Sequence, residues 1–111
     1  MITGAAGFVG SSLSLRLLED GHNIYTIDNL STGFRENVPE DVVSIFGDCS
    51  DITVYEALEH INFDAIIHIA GQSSGEISFE DPIRDIKSNT ESTLLLLEFC
   101  KRNGCNRFLF A

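Results

Sequence analysis

Short apolar runs alternate along this chain with stretches in which apolar residues recur every three or four positions. The runs are Met1–Thr3, Asn23–Ile27, Val42–Phe46, Asp64–Gly71 and Arg107–Ala111, and their β-branched and aromatic content predicts strands. Met1–Thr3 is short for a central strand, which commonly runs about five residues, and it reads as the last part of one. Val9–Asp20 predicts a helix with Val9, Leu13 and Leu17 on one stripe and Gly21 at its C-terminal end. Asp51 suits the cap of a short helix, Ile52–Glu59, with Tyr55, Leu58 and Ile61 marking a buried side. Gln72–Asp81 reads as a polar loop. Asp81 and Pro82 then open the longest helix, Ile83–Asn103, which Gly104 closes.

Strand and helix thus alternate to the end of the chain, which implies right-handed crossovers and an α/β, doubly wound parallel sheet. The near-continuous apolar character of Asp64–Gly71 fits a parallel strand covered on both faces. The expected strand order is 3-2-1-4-5, a Rossmann-type arrangement. Its ligand site lies over the carboxyl ends of strands one, two and four, where the order reverses.

The first strand runs directly into Gly4, Gly7 and Gly10, spaced G-x-x-G-x-x-G. Gly4 can make the tight turn out of the strand, Gly7 can let backbone approach a pyrophosphate, and Gly10 can let the helix pack closely on the sheet. The helix N-terminus adds free N–H groups and the positive end of its dipole. Asp28 follows about 20 residues later at the end of the second strand, where a carboxylate accepts hydrogen bonds from ribose hydroxyls and repels a 2′-phosphate. That favours NAD over NADP, with Arg35 nearby as the one residue that could accommodate a phosphate. Asn29, Leu30, Ser31, Thr32 and Gly33 form a turn-rich loop able to wrap the adenosine.

Composition narrows the field. The 111 residues carry 7 Lys and Arg against 17 Asp and Glu, a net charge of −10, which argues against a nucleic-acid partner. No apolar run reaches the roughly 18 residues of a membrane span, and the N-terminus lacks the basic residues of a signal peptide. Cys49, Cys100 and Cys105 are an odd set without zinc spacing, so free buried thiols in a reducing cytoplasm are expected. His22, His60 and His68 show no ligand pattern, and no metal site is expected. In the long helix, Leu94-Leu95-Leu96-Leu97 leaves an apolar face beyond the one that covers the sheet. That face suits a homodimer interface through Ile83–Asn103, or burial under further protein.

Five segments together carry a family resemblance: Thr3–Gly10, Asp28–Gly33, Gly47-Asp48, His68–Ser74 and Asn89–Leu94. In this order they resemble the cofactor half of extended short-chain dehydrogenases/reductases, and within these the NAD-dependent sugar-nucleotide epimerases and dehydratases. The resemblance implies that backbone N–H groups of Phe8 and Val9 lie over the pyrophosphate. It implies that Asp28 through Gly33 hold the adenosine ribose and its phosphate, and that Asp48 faces the adenine amino group with Cys49 beside it. Ile69, Ala70, Gly71, Gln72 and Ser73 would line the nicotinamide side, supported by Asn89. Ser92 stands where this family often has Gly.

Such enzymes also carry a Ser or Thr after the fifth strand and a Tyr-x-x-x-Lys on the next helix, where the Tyr moves the sugar hydroxyl proton. Here the tyrosines are Tyr25 and Tyr55 and the lysines are Lys87 and Lys101, none at that spacing. The reading is therefore a truncated, partial NAD(P)-binding domain over residues 1–111, with the substrate domain absent and no catalytic residues, inactive alone. A nucleotide-sugar would be a partner only once the missing part is supplied. The alternatives are a non-catalytic, self-associating Rossmann module with an idle or sensing site, or a fragment of an atypical NADP-linked reductase.

Overall fold

A computed structural model describes all 111 residues, Met1–Ala111. Five parallel strands form one sheet: β1 (Ile2–Thr3), β2 (Tyr25–Asp28), β3 (Val43–Phe46), β4 (Ile66–His68) and β5 (Phe108–Phe110). Their order is β3-β2-β1-β4-β5, as the alternation of elements predicts. β1 is only two residues long, yet it is central: Ile2 lies opposite Thr26 and Ile67, and Thr3 opposite Ile27 and His68. The Met1 ammonium extends the pairing by donating to the Ala65 carbonyl at 2.8 Å.

Helix α1 (Phe8–Glu19) follows β1. Its buried stripe is Gly10 and Ser14, flanked by half-buried Leu17, while Val9 is exposed. Of the predicted stripe, Leu13 and Leu17 are half-buried and Val9 alone faces out. Small residues win the sheet-facing side because the helix backbone lies close to the glycine turn, and Ser14 satisfies its hydroxyl by donating to the Gly10 carbonyl at 2.7 Å. Asp20 caps the helix and Gly21 follows at φ +86°.

Ile52–Leu58 forms a 3₁₀ segment rather than an α-helix, with the Asp51 carboxylate accepting from the Thr53 N–H. Tyr55 and Leu58 are buried on it as the pattern predicts, and the Tyr55 hydroxyl donates to the Cys49 carbonyl at 2.6 Å. The segment read as a polar loop contains helix α2 (Gly75–Glu80), capped by Ser74. It has no fully buried residue, and Phe79 is 90% exposed, so no apolar periodicity announced it.

The long helix is one continuous run in three parts: α3 (Pro82–Ile86), a π turn (Lys87–Glu91) and α4 (Ser92–Asn103), closed by Gly104 at φ +78°. At the π turn the Ser92 and Thr93 hydroxyls donate to the carbonyls of Ser88 and Asn89, both at 2.6 Å. Both hydroxyls are thereby satisfied by carbonyls four residues back. No helix is long and apolar enough to cross a membrane.

The main core lies between the sheet, the Ile52–Leu58 segment and α4. It joins Ile27, Tyr55, Leu58, Ile66, Leu96 and Phe99 with all three cysteines, and the Tyr55 and Phe99 rings stack at 5.2 Å. The cysteines are free and buried. Burial pushes the Cys49 thiol up to about 12 and the Cys100 thiol up to about 11.

The tight approach of α1 to the glycine turn is open to direct test. A Cβ on Gly10 would collide with the Gly4 carbonyl, whereas one on Gly75 would meet open space. Gly10→Ala should lower the stability read by urea unfolding by about 1–3 kcal/mol or more. Gly75→Ala should leave it unchanged or raise it by up to about 1 kcal/mol.

Candidate functional site

Gly4 leaves β1 at φ +73°, in the left-handed region that favours glycine. A Cβ there would lie 2.7 Å from the Ala70 nitrogen, so the turn after β1 and the end of β4 touch backbone to backbone. Gly7 then caps α1 without any side-chain bond. The N–H groups of Phe8, Val9 and Gly10 make no hydrogen bond within the chain, and these residues line a cavity over the carboxyl ends of β1, β2 and β4. Orphan donors at a helix N-terminus are the groups that hold phosphate.

Asp28 ends β2 and closes the opposite side of the turn. One carboxylate oxygen accepts from the Ala6 N–H and the other from the Leu30 N–H, both at 2.8 Å. Each oxygen retains a lone pair, and the carboxylate lines the cavity. Next to it Asn29 donates to an Asp48 oxygen at 2.8 Å and accepts from the Ser31 N–H at 3.0 Å. Partial burial opposes the charge on Asp48. The Ser50 N–H and hydroxyl and the Asn29 amide outweigh it, and the Lys87 charge adds to them, so its carboxyl titrates below the usual range. Arg35 lies elsewhere, stacked over the Phe46 ring at 4.4 Å, and does not line the cavity.

The far wall is the segment after β4. The Thr3 hydroxyl oxygen accepts from the Ile69 and Ala70 N–H groups at 3.2 and 3.1 Å. Asn89, at the π turn, clasps the Gln72 peptide from behind: its amide oxygen accepts from the Gln72 N–H and its amide nitrogen donates to the Gln72 carbonyl, both at 2.8 Å. The Gln72 side chain closes the network by donating to Ser78 and Asp85.

The cavity measures about 630 Å³, within the usual range for a small-molecule site. Of the residues singled out from the sequence, Gly4, Gly7, Phe8, Val9, Gly10, Asp28, Asn29, Ser31, Thr32, Gly33, Asp48, Cys49 and Ile69–Ser73 line it. Two do not. Leu30 sits at φ +57° and contributes its N–H to Asp28, while Asn89 acts behind the wall. Neither Tyr25 nor Tyr55 reaches the cavity.

Arg84 and Lys87 also line it and escaped the sequence reading. Neither forms a salt bridge, although the chain carries 17 acidic residues. Their spacing of three on the helix after Pro82, which puts both on one face, was the available signal.

The Asn89 clasp makes a measurable claim. Asn89→Ala should leave the Gln72 peptide without its partners and speed hydrogen exchange of the Gln72 amide by about tenfold or more. Exchange of the Ile27 amide, in the central sheet, should stay as in the parent chain.

A model of the NAD dependent epimerase/dehydratase family matches residues 1–111. The UDP-glucose 4-epimerase of Corynebacterium glutamicum is 40% identical over 111 residues, covering 100% of this chain and 33% of that protein. UDP-glucuronic acid decarboxylase 1 of Danio rerio is 38% identical over 109 residues, covering 98% of this chain and 26% of that one. Among solved structures, the UDP-glucose 4-epimerase of Thermus thermophilus in complex with NAD superposes with a TM-score of 0.90 at 37% identity, over 96% of this chain and 35% of that chain. The chain therefore spans about a third or less of the length of these relatives. With a matching family model along its whole length and the same strand order about the glycine turn, the chain belongs to the NAD-dependent epimerase/dehydratase family.

Proposed function

We propose that the cavity binds NAD, and that residues 1–111 are the cofactor-binding part of a Rossmann-type domain. The observation that carries this reading is the pairing, in one cavity, of three unbonded N–H groups at Phe8, Val9 and Gly10 with the Asp28 carboxylate. Donors for a pyrophosphate and an acceptor for ribose hydroxyls are the two chemistries a dinucleotide needs at this switch point. Asp48 with Cys49 takes the adenine end, and Ile69 through Ser73 take the nicotinamide end. Arg84 and Lys87 add positive charge to the cavity lining. Bound NAD supplies a hydride acceptor; what this chain's residues do is bind, orient and shield it. Arg35 is engaged with Phe46, which leaves Asp28 to repel a 2′-phosphate and favours NAD over NADP.

The relatives' names cover both a 4-epimerase and a decarboxylase acting on UDP-sugars. A nucleotide-sugar substrate for this chain is proposed on that likeness.

Calorimetric titration tests the cofactor. The chain should bind NAD saturably and more tightly than NADP, and Asp28→Ala should weaken NAD binding by about tenfold or more, equivalent to about 1.4 kcal/mol. Unchanged affinity in Asp28→Ala would remove Asp28 from the site. No heat with either dinucleotide, from folded protein, would leave an idle site.

A second proposal concerns α4, where Leu94 and Leu97 are 58% and 43% exposed. A second copy covering this face would bury them. Size-exclusion chromatography with light scattering should then return twice the chain mass, and a clean monomer would end the dimer reading.

A further inference from the structure

His68 ends β4 with no exposed surface. Its Nδ1 lies 2.7 Å from the Thr3 hydroxyl oxygen and its Nε2 3.1 Å from that of Thr93. The direction of each bond follows from a count of hydrogens and lone pairs. The Thr3 oxygen already accepts from two N–H groups, those of Ile69 and Ala70. With both lone pairs taken, its own hydrogen goes to His68 Nδ1. The neutral imidazole therefore carries its proton on Nε2, which donates to Thr93. Thr93 is free to accept because its hydrogen goes to the Asn89 carbonyl, as that of Ser92 goes to the Ser88 carbonyl.

This arrangement has no room for an imidazolium. A second proton on Nδ1 would point at an oxygen with no lone pair left, and Thr3 would have to release Ile69 or Ala70. The surroundings offer the charge nothing in return. From β1 the imidazole meets Thr3, from β5 the rings of Phe108 and Phe110, and from α4 Ser92 and Thr93, with no carboxylate or cation among them. The Cys49 thiol, beside Thr3, stays protonated. Burial alone brings His68 down to about 4.

We propose that His68 is a positioning residue for the cofactor-facing wall: its unprotonated Nδ1 orients the Thr3 hydroxyl, which pins the Ile69 and Ala70 N–H groups, so that protonation of the imidazole releases this turn and weakens cofactor binding. The turn matters because Ala70 is the backbone against which Gly4 is seated. Its release loosens two walls of the cavity at once. The binding half of the proposal rests on the NAD reading above, whereas the hydrogen-bond half does not.

The folded state holds His68 neutral below its ordinary value of 6.5, so the unfolded or released state binds the extra proton. The stability that the clasp contributes is full above 6.5 and declines as pH falls from there through about 4, where the imidazole of the folded chain takes up its proton.

The first test uses the ¹⁵N-labelled chain without cofactor, with exposed His22 and His60 as internal references. Long-range imidazole correlations at about pH 7 should show His68 as the Nε2–H tautomer, and on acidification the Ile69 and Ala70 amides should shift with the same midpoint as His68. An Nδ1–H tautomer, or amides that ignore the His68 titration, would overturn the clasp. The second test titrates NAD at about pH 7 and about pH 3.5, into the parent chain and into Thr3→Val, with circular dichroism to confirm the fold. The parent should lose affinity several-fold at the lower pH. Thr3→Val should already bind weakly at the higher pH and lose less with acid than the parent does, because the cavity carboxylates act alike in both. A variant that keeps the parent's affinity and pH profile overturns the positioning role. If NAD fails to bind at either pH while the imidazole and amide signals behave as expected, the cofactor reading falls and the clasp stands.

Discussion

Three backbone segments meet where no side chain can fit, and the site depends on that meeting. Gly4 sits against Ala70 at the end of β4, and Gly10 of α1 sits against the Gly4 carbonyl. The contacts draw the helix N-terminus down onto the end of the sheet and leave its first N–H groups at the cavity. Asp28 fixes the same turn from β2 by accepting from the Ala6 N–H, and the Ala6 carbonyl in turn accepts from the Phe34 N–H. A two-residue strand can be central because its ends are tied on both sides.

The fold was legible because parallel strands buried on both faces leave apolar runs and the crossovers between them leave helical ones. The glycine spacing and Asp28 were legible because each answers a backbone or charge requirement that few other residues meet. Other features left no such trace. α2 buries nothing fully, so it has no periodicity to read. The π turn is accompanied by hydroxyl bonds from Ser92 and Thr93 to the backbone, which no apolar pattern encodes. Leu30 shares a loop with wall residues but turns its N–H, not its side chain, to the task. Val9 was placed on the buried stripe because it is apolar, although close packing selects Gly10 and Ser14 for their size.

Net charge and local charge diverge in this chain. An excess of acidic residues gives −10 overall, yet the cavity, which Asp28, Asp48 and Asp81 also line, gathers orphan N–H groups and two cations, Arg84 and Lys87, that form no salt bridge. Helix termini and unpaired cations act over a few ångströms, while the diffuse negative charge of exposed carboxylates is screened beyond about 8–10 Å. An acidic surface and a local anion-binding corner at the α1 N-terminus can therefore coexist.

The three buried thiols give the molecule an internal clock. Only the thiolate attacks an alkylating reagent, and burial suppresses both its formation and its access. Cys100 and Cys105 belong to the core behind α4, while Cys49 touches both that core and the cavity. Modification of the first two records departures of the helix from the sheet, and modification of Cys49 records openings at the cavity floor. The ratio of the two rates separates breathing of the site from unfolding of the chain, with no residue having to be changed.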